Sequence, residues 1–264
     1  MSAQGRVLTI GGSDSSGGAG VQADIKTITL LGGYAASAIT AVTVQDTHRI
    51  HAIHPIPPDL IVAQARAVLD DIGADAIKTG MLGDKAVVEA IADLLADMAV
   101  PIVIDPVMAA TTGAALLDDD AVEALRGRLI PLAALLTPNA PEAERLTGLI
   151  VTTTDDLRRA GEALLGMGAR AVLMKGGHVP GDSVTDVLMT PSGETLFTSA
   201  RIATRHSHGT GCTLASACAV GLAQGLDLPA AVERAHAFVA RAIREAPGLG
   251  GGHGPIDHGW PLRG

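Results

Sequence analysis

The short glycine-rich segment 207–213 combines two features that could do chemistry. Gly209, Thr210 and Gly211 stand at the start of an alanine-rich apolar stretch that is predicted to be a helix. The free N–H groups of a helix start, together with the positive end of the helix dipole, hold anions. Cys212 lies in the same turn, where that field should lower the pKa of the thiol. An anion cradle beside a base suits transfer of a phosphoryl group onto a hydroxyl, because such catalysis consists mostly of positioning and charge stabilisation.

The cysteines and histidines around this loop have plainer interpretations as well. A free cysteine is often buried as a small hydrophobe, which is the expected role of Cys218 and the alternative for Cys212. Six residues apart on one helix, the two thiols would point in different directions, so no disulfide is expected between them. His206 and His208 show no spacing typical of a closed zinc site and are interpreted as loop histidines.

Further polar residues follow predicted strands at their carboxyl ends, where α/β enzymes hold their sites. Asp105, Asn139 and Glu142 could hold Mg²⁺ through their oxygens, directly or through waters. Asn139 could instead cap a helix with Glu142 in its first turn. Lys175 could meet a phosphate or could simply be solvated.

A second glycine cluster, at 11–20, directly follows the first predicted strand. It lacks the Gly-Lys-Ser/Thr end of a P-loop and the glycine spacing of a dinucleotide fingerprint. So many small residues in one turn usually make room for a ligand, with Asp24 one turn further on; the alternative is a tight turn with a solvated Asp24. Gln45 ends another predicted strand. Its amide could pair with a nitrogen heterocycle or be satisfied by water.

Length and composition restrict the class of protein. The chain has 264 residues, 47% of them hydrophobic, which fits one α/β domain over 1–264 with a glycine-rich end at 248–264 that could be mobile. A net charge of −9 and 2% aromatic residues argue against nucleic-acid binding. The sequence shows neither a signal peptide nor an apolar run of membrane-spanning length, so a cytoplasmic protein is expected.

Apolar runs of strand length alternate with amphipathic segments of helix length. This rhythm predicts a three-layer α/β fold with a mostly parallel central sheet and helices on both faces. After Gly176 the pattern changes to a hairpin over 184–189 and 194–199, followed by helices over 211–225 and 229–246. The strands before that point are predicted at 7–10, 37–44, 76–79, 102–105, 134–137 and 171–175, and the helices at 19–31, 59–72, 84–98, 118–129 and 154–167.

Six motifs in this order resemble the hydroxymethylpyrimidine/phosphomethylpyrimidine kinases of thiamine biosynthesis, in the ribokinase superfamily. They are the glycine-rich stretch 11–24, Lys-Thr-Gly-Met-Leu at 78–82, Asp-Pro-Val-Met at 105–108, Thr-Pro-Asn at 137–139 with Glu142, Met-Lys-Gly-Gly-His at 174–178, and His-Gly-Thr-Gly-Cys-Thr at 208–213. The resemblance spans nearly the whole chain, including Gly-His-Gly-Pro at 252–255. It implies a ribokinase-like fold and ATP- and Mg²⁺-dependent phosphorylation of 4-amino-5-hydroxymethyl-2-methylpyrimidine and then of its monophosphate. A homodimer is also expected.

The resemblance implies a role for each matching residue. In the substrate pocket, Gly12 and Asp24 would lie by the hydroxymethyl group, Gln45 would pair with the ring nitrogen and amino group, and Thr43, Met81 and Val107 would line the ring. In the phosphate region, Lys175, Asn139 and Thr210 would bind the nucleotide, and Asp105, Asn139 and Glu142 would serve Mg²⁺. Gly209, Thr210 and Gly211 would form the anion hole, and Cys212 would be the base.

Two other functions remain open at this stage. Pyridoxal offers a similar ring and hydroxymethyl group, so a pyridoxal kinase of the same superfamily is the nearest alternative. A non-catalytic sensor of the pyrimidine phosphate would be expected to lose the base or the anion hole and to carry a DNA-binding segment. This chain keeps the first two and shows no basic appendage.

Overall fold

The computed structural model describes residues 5–109, 113 and 116–263. Within these ranges, nine strands form one sheet in the order β3-β2-β1-β4-β5-β6-β7-β8-β9. The pairs from β2 through β1 to β7 are parallel, whereas β3, β8 and β9 run antiparallel to their neighbours. The strands are β1 Arg6–Ser13, β2 Tyr34–Gln45, β3 Ile50–Pro55, β4 Ala76–Thr79, β5 Ile102–Ile104, β6 Leu135–Leu136, β7 Val172–Met174, β8 Ser183–Thr190 and β9 Gly193–Ala200.

Helices cover both faces of the sheet, as a buried parallel sheet requires. One hydrophobic cluster packs α2 to α6 against the sheet, and a second packs α1, α7 and α8 against the other face. The three-layer α/β prediction is therefore confirmed. The helices are α1 Gly20–Leu30, α2 Pro58–Asp71, α3 Lys85–Leu95, α4 Asp119–Ala124, α5 Ala140–Thr147, α6 Thr154–Gly166, α7 Thr210–Ala223 and α8 Leu228–Arg244.

Most predicted elements have their observed counterparts within three residues, and the exceptions have physical reasons. The prediction missed β3, an edge strand whose side chains are mostly exposed. The helix predicted over 118–129 is α-helical only as far as Ala124 and continues as a π-helical turn, Leu125–Leu129, that contains Gly127. The strand predicted over 134–137 is reduced to the two residues of β6.

The connections after the parallel strands bring the polar residues to one edge of the sheet. The loops after β1, β4, β5, β6 and β7 all open at the carboxyl ends of their strands, and α7 begins at the same edge. The glycine-rich end packs there as well: the His253 amide donates to the Thr47 carbonyl at 2.7 Å, and the His208 amide donates to the Gly254 carbonyl at 3.1 Å. The mobility of this end stays a prediction.

Candidate active site

The start of α7 leaves backbone N–H groups available to an anion. Gly209 precedes the helix with φ +86°, and a Cβ at this position would collide with the Gly18 carbonyl oxygen. Only glycine fits that conformation and that close approach. Among the described residues no side chain caps this helix, and its first turn closes with the Thr213 amide donating to the Gly209 carbonyl at 2.9 Å. The amides of Gly211 and Cys212 therefore precede the helical ladder and can bind an anion.

Cys212 sits in the first turn of α7, but its thiol does not have the expected acidity. Burial raises the pKa of the Cys212 thiol to about 11, although Lys78 and the Gly20 amide, which donates to the sulfur, both act to lower it. The prediction of a lowered pKa is wrong, because the loss of water around the sulfur outweighs the field of the helix start. Cys212 and Cys218 are both free, as expected.

A buried ion pair lines the same cavity as Cys212. The Lys78 Nζ is 3.0 Å from both carboxylate oxygens of Asp24, and the two residues are 1% and 0% exposed. Asp24 also accepts from the Ser216 hydroxyl at 2.7 Å and from the Thr9 hydroxyl at 2.5 Å. The alternative of a solvated Asp24 is therefore wrong, because its carboxylate is enclosed by four donor contacts.

A second buried pair shapes the loop after β1. His208 Nε2 lies 2.8 Å from Asp14 Oδ2, which also accepts from the Ala19 amide at 2.8 Å. Burial acts to raise the pKa of the Asp14 carboxyl, but the hydrogen bonds from His208 and Ser16 hold that pKa at about 2. His208 thus ties the loop of β1 to the anion loop, which sequence reasoning missed when it interpreted His208 as an ordinary loop residue.

Gln45 is half-buried at the mouth of the same region. Its Oε1 lies 3.3 Å from the Thr43 hydroxyl, which donates to the Ser13 carbonyl at 2.9 Å, and its Nε2 lies 3.5 Å from His208 Nε2. Met81 packs over Gly12, where a Cβ would come within 2.7 Å of the Met81 Cε. The small residue at Gly12 therefore leaves room for a flexible apolar side chain along the pocket wall.

These residues line one cavity of about 570 Å³. Its size suits a small aromatic ring and leaves space toward the anion loop. All fourteen residues predicted for the site contribute to its lining: Gly12, Asp24, Thr43, Gln45, Met81, Asp105, Val107, Asn139, Glu142, Lys175, Gly209, Thr210, Gly211 and Cys212. Their individual roles stay predictions.

A carboxylate-rich cluster lies on the other side of the anion loop. Lys175 Nζ is 3.0 Å from Asp105 Oδ1 and 3.7 Å from Glu142 Oε2. The same Nζ would be 3.3 Å from a Cβ on Gly211, so this glycine lets the lysine approach the loop closely. Burial acts to lower the pKa of Lys175, but Asp105 and Glu142 raise it, so the ammonium stays charged. Burial raises the pKa of Glu142 to about 7.

Asn139 and Glu142 form the capping box of α5. The Glu142 amide donates to the Asn139 side chain at 2.9 Å, and the Asn139 amide donates to the Glu142 carboxylate at 2.8 Å. The structural interpretation of this pair is therefore confirmed, and any part that it takes in Mg²⁺ binding would be additional. Across the described residues, no three His, Cys, Asp or Glu side chains are grouped as a metal site.

The cluster nevertheless suits Mg²⁺ bound through waters and phosphates. Mg²⁺ prefers oxygen ligands and usually keeps several waters while one or two carboxylates and substrate phosphates complete its shell. Asp105 and Glu142 supply two carboxylates against the one ammonium group of Lys175. The residues present therefore fit the ion in its hydrated form.

A second cavity, of about 370 Å³, adjoins the first. It lies between the β8–β9 hairpin and α8, with Val184, Ile202 and Val239 among its apolar walls. Both cavities are lined by the residues of the anion loop and the lysine cluster: Asn139, Lys175, His178, Ser207, Thr210 and Gly211. The start of α7 is therefore the boundary at which a group could pass from one cavity to the other.

Sequence reasoning assigned no role to Lys78 and did not find the second cavity. One feature of the sequence could have singled out Lys78: it is the charged residue of the short strand Ala76–Thr79, whose other residues are uncharged. The walls of the second cavity come from ordinary apolar residues of β8, β9 and α8, which give no such signal.

Comparison with known proteins gives concordant matches. The family model described as phosphomethylpyrimidine kinase matches residues 14–257. A hydroxymethylpyrimidine/phosphomethylpyrimidine kinase from Streptomyces coelicolor is 49% identical over 97% of this chain and 95% of its own length.

Two solved kinase structures have the same fold as this chain. A pyridoxal kinase from Bacillus subtilis in an ADP complex superposes with a TM-score of 0.92 at 36% identity, covering 98% of this chain and 99% of that one. A phosphomethylpyrimidine kinase from Clostridium difficile superposes with a TM-score of 0.80 at 39% identity, covering 90% of this chain and 99% of that one.

Proposed function

Because this chain belongs to the phosphomethylpyrimidine kinase family, we propose that it transfers the γ-phosphoryl group of ATP to 4-amino-5-hydroxymethyl-2-methylpyrimidine and then to the resulting monophosphate. The observation that carries the proposal is the meeting of two cavities at the start of α7. The larger cavity would take the pyrimidine, and the smaller one the nucleotide. The relative from Bacillus subtilis crystallised with ADP supports a nucleotide site in this fold.

Each side of the boundary would have its own task. Gln45 would bind the polar edge of the pyrimidine, with Thr43, Met81 and Val107 along the ring and Gly12 and Asp24 near the hydroxymethyl end. Gly209, Thr210 and Gly211 would form the anion hole, in which the amides of Gly211 and Cys212 would stabilise negative charge on the transferred group. Fixed donors aimed at developing charge need no reorganisation. Lys175, Asn139 and Thr210 would hold the nucleotide phosphates.

Cys212 would accept the proton of the attacking hydroxyl. The O–H bond of the acceptor breaks as its oxygen bonds to the γ-phosphorus, and the proton passes to the sulfur while ADP leaves. With a pKa of about 11, the thiol is rarely ionised in the free protein, so the site must favour its charged form when the substrates are bound. For the monophosphate, a phosphate oxygen takes the place of the hydroxyl.

Asp105, Asn139 and Glu142 would hold Mg²⁺ on the nucleotide side, chiefly through waters. When bound, the ion supplies neutralisation of charge on the phosphate oxygens. The two carboxylates share the single ammonium group of Lys175, and this surplus of negative charge favours the placement.

One assay tests the function directly. ADP release would be followed with hydroxymethylpyrimidine, its monophosphate and pyridoxal as separate acceptors. The proposal expects turnover with both pyrimidines and a higher kcat/KM for them than for pyridoxal. Turnover with none of the three would contradict a kinase function.

Pyridoxal phosphorylation is the second candidate, and the structural neighbours favour it. The Bacillus subtilis pyridoxal kinase superposes over nearly the full length of both chains. The pyridoxal ring would fit the same cavity, and the hydroxymethyl group of pyridoxal could reach the same loop. A kcat/KM for pyridoxal above that for hydroxymethylpyrimidine would make pyridoxal phosphorylation the preferred function.

The proposal of a catalyst over a sensor is supported by the intact base and anion hole. Both lie where the two cavities meet. A protein that only binds the pyrimidine phosphate would need neither a base nor an anion hole. Binding of the pyrimidine phosphate without ADP release would favour the sensor.

We also propose a homodimer through the β2–β3 edge of the sheet. This proposal is supported by Tyr34, Val42 and Val44, three large side chains of β2 that stay exposed, and by β3 as an outer strand. Light scattering should give twice the chain mass, and Val44→Lys should reduce it. A monomer at micromolar concentration would contradict the proposal.

A cytoplasmic location is proposed because the base must stay a thiol. Cys212 and Cys218 are both free, as expected in a reducing compartment. None of the helices in the described ranges is long and apolar enough to cross a membrane. Cell fractionation would test this location, and recovery from an oxidising compartment would contradict it. The net charge of −9 supports the further proposal that nucleic acid is not a partner.

A further inference from the structure

We propose that Lys78 is a positioning residue for Cys212, and that its buried ammonium stabilises the negative charge of the sulfur in the state that accepts a proton. The inference rests on the proposed function, in which Cys212 is the base. It assigns a task to the one charged group of β4, which the proposed mechanism leaves unused.

The position of Lys78 is fixed more tightly than that of an ordinary lysine. The side chain is 1% exposed and is bound through both oxygens of Asp24 at 3.0 Å. Its Nζ lies over Gly80, where a Cβ would come within 2.9 Å, so a larger residue there would displace the ammonium. Lys78 and Cys212 line the same cavity, so the charge faces the space that the acceptor would occupy.

Asp24 sets the position of this charge. Its oxygens receive Lys78, the Thr9 hydroxyl and the Ser216 hydroxyl. Ser216 lies four residues after Cys212, on the same side of α7. The carboxylate thus joins β1, β4 and α7, and it holds the ammonium in register with the helix that carries the sulfur.

The charges around Cys212 oppose one another, and Lys78 is the main favourable one. Burial, Asp24 and Asp105 disfavour the thiolate, whereas Lys78 and the Gly20 amide favour it. Lys175, beyond Asp105, also interacts favourably with an ionised Cys212. A buried ion pair is weak support for stability in itself, because desolvation offsets much of the attraction. Because the Lys78–Asp24 pair lines the same cavity as Cys212, its role is better explained by its effect on the sulfur than by its contribution to stability.

Alkylation of Cys212 as a function of pH tests the inference without any need for activity. The charge-free variant K78M/D24N keeps side chains of similar size. The amide introduced at position 24 can accept from one of the two hydroxyls of Thr9 and Ser216 and donate to the other. Peptide mass spectrometry after brief iodoacetamide treatment gives the midpoint pH for Cys212. The variant should raise that midpoint by about half a unit, because it removes the larger favourable charge of Lys78 together with the smaller unfavourable charge of Asp24. An unchanged or lower midpoint would overturn the inference.

Two controls separate charge from disturbance of the cluster. Ser216→Ala removes one hydrogen bond to Asp24 but no charge, and it should leave the midpoint unchanged. Lys85→Met removes an exposed lysine of α3 and should also leave it unchanged. If S216A moves the midpoint as far as K78M/D24N does, packing rather than charge is responsible and the inference fails. Should K78M/D24N not unfold cooperatively, K78Q/D24N, whose amides can hydrogen bond to each other, replaces it.

Steady-state kinetics then distinguish a role through the sulfur from a role in binding. The charge-free variant should lower kcat about threefold, the change in thiolate population that half a pKa unit gives, and should leave the KM for ATP within about twofold. A raised KM for the pyrimidine at unchanged kcat would contradict the inference, because the pair would then act in substrate binding and not on the sulfur. Failure of the proposed function has a different signature: Cys212→Ala would turn over normally, whatever the alkylation midpoints.

Discussion

The charges of the two lysines on either side of the anion loop, Lys78 and Lys175, are balanced differently. Lys78 faces one carboxylate, Asp24, whose other hydrogen bonds come from hydroxyl groups. Lys175 faces two carboxyl groups, Asp105 and Glu142. Its cluster carries a surplus of negative charge once Glu142, whose pKa burial raises to about 7, has ionised. The pyrimidine side is thus electrostatically complete before any ligand binds, whereas the nucleotide side is short of positive charge. We infer that a metal-bound nucleotide completes the second cluster, while the first only has to tune the base.

The group between the two clusters should be the most sensitive to substitution. Cys212→Ala is expected to lower kcat by at least ~10²-fold, the scale for a lost general base, while ATP still binds. ADP release and calorimetry with ATP measure the two effects. Cys218→Ala, in the same helix but away from the cavities, is the matched control and should keep its kcat. Near-normal turnover of C212A would refute the assignment of the base.

Removing the lysine of the nucleotide side should weaken ATP binding and leave the acceptor site intact. Lys175→Met is expected to raise the Kd for ATP by about tenfold or more, because a charged contact to phosphate is lost. The Kd for hydroxymethylpyrimidine should stay within about twofold. Calorimetry with each ligand measures both, and Lys85→Met is the exposed control. Equal losses for the two ligands would remove the distinction between the clusters.

A substitution on the pyrimidine side should have the opposite selectivity, weakening the pyrimidine and not ATP. Gln45→Ala should weaken hydroxymethylpyrimidine binding by about tenfold, since two hydrogen bonds to the ring edge are lost. ATP affinity should not change. An unchanged Kd for the pyrimidine would count against the proposed orientation of the ring.

The smallest effect concerns the surplus carboxylate itself. Burial raises the pKa of Glu142 from 4.5 to about 7, so the folded protein holds a proton that the unfolded chain has already released. Stability from this group is present below pH 4.5 and is lost as the pH rises toward 7. Glu142→Gln cannot titrate and should lose this dependence, which amounts to a few degrees in Tm between pH 5 and pH 8. Parallel pH profiles of Tm for the two proteins would show no difference if Glu142 were an ordinary ionised residue.

The sequence predicts the fold well wherever burial leaves a repetitive pattern. The inner strands are short apolar runs, and the capping box of Asn139 and Glu142 has the residue types that helix starts require. The edge strand β3 escapes prediction because Ile50–Pro55 is mostly exposed and contains two histidines, so no buried face marks it. The π-helical turn after α4 buries Leu125 and Leu129 in the core, and no local pattern of residue types marks such a turn.

The site is predictable residue by residue but not pair by pair. The glycines and Cys212 mark the anion loop because their types are restricted by close approach and by chemistry. The pairing of Lys78 with Asp24 joins residues 54 apart, and that of His208 with Asp14 joins residues 194 apart. Only the order of the strands brings them together. The acidity of Cys212 was mispredicted for the same reason, since burial by distant elements outweighs the local helix start.

A crystal structure with a non-hydrolysable ATP analogue, Mg²⁺ and hydroxymethylpyrimidine tests the central claim most directly. We expect the nucleotide between the β8–β9 hairpin and α8, with its terminal phosphate at the anion loop Gly209–Gly211. We expect the acceptor oxygen about 3–3.5 Å from that phosphorus and beside the sulfur of Cys212. A nucleotide bound away from the start of α7, or a pyrimidine whose hydroxymethyl group points away from Cys212, would contradict the account.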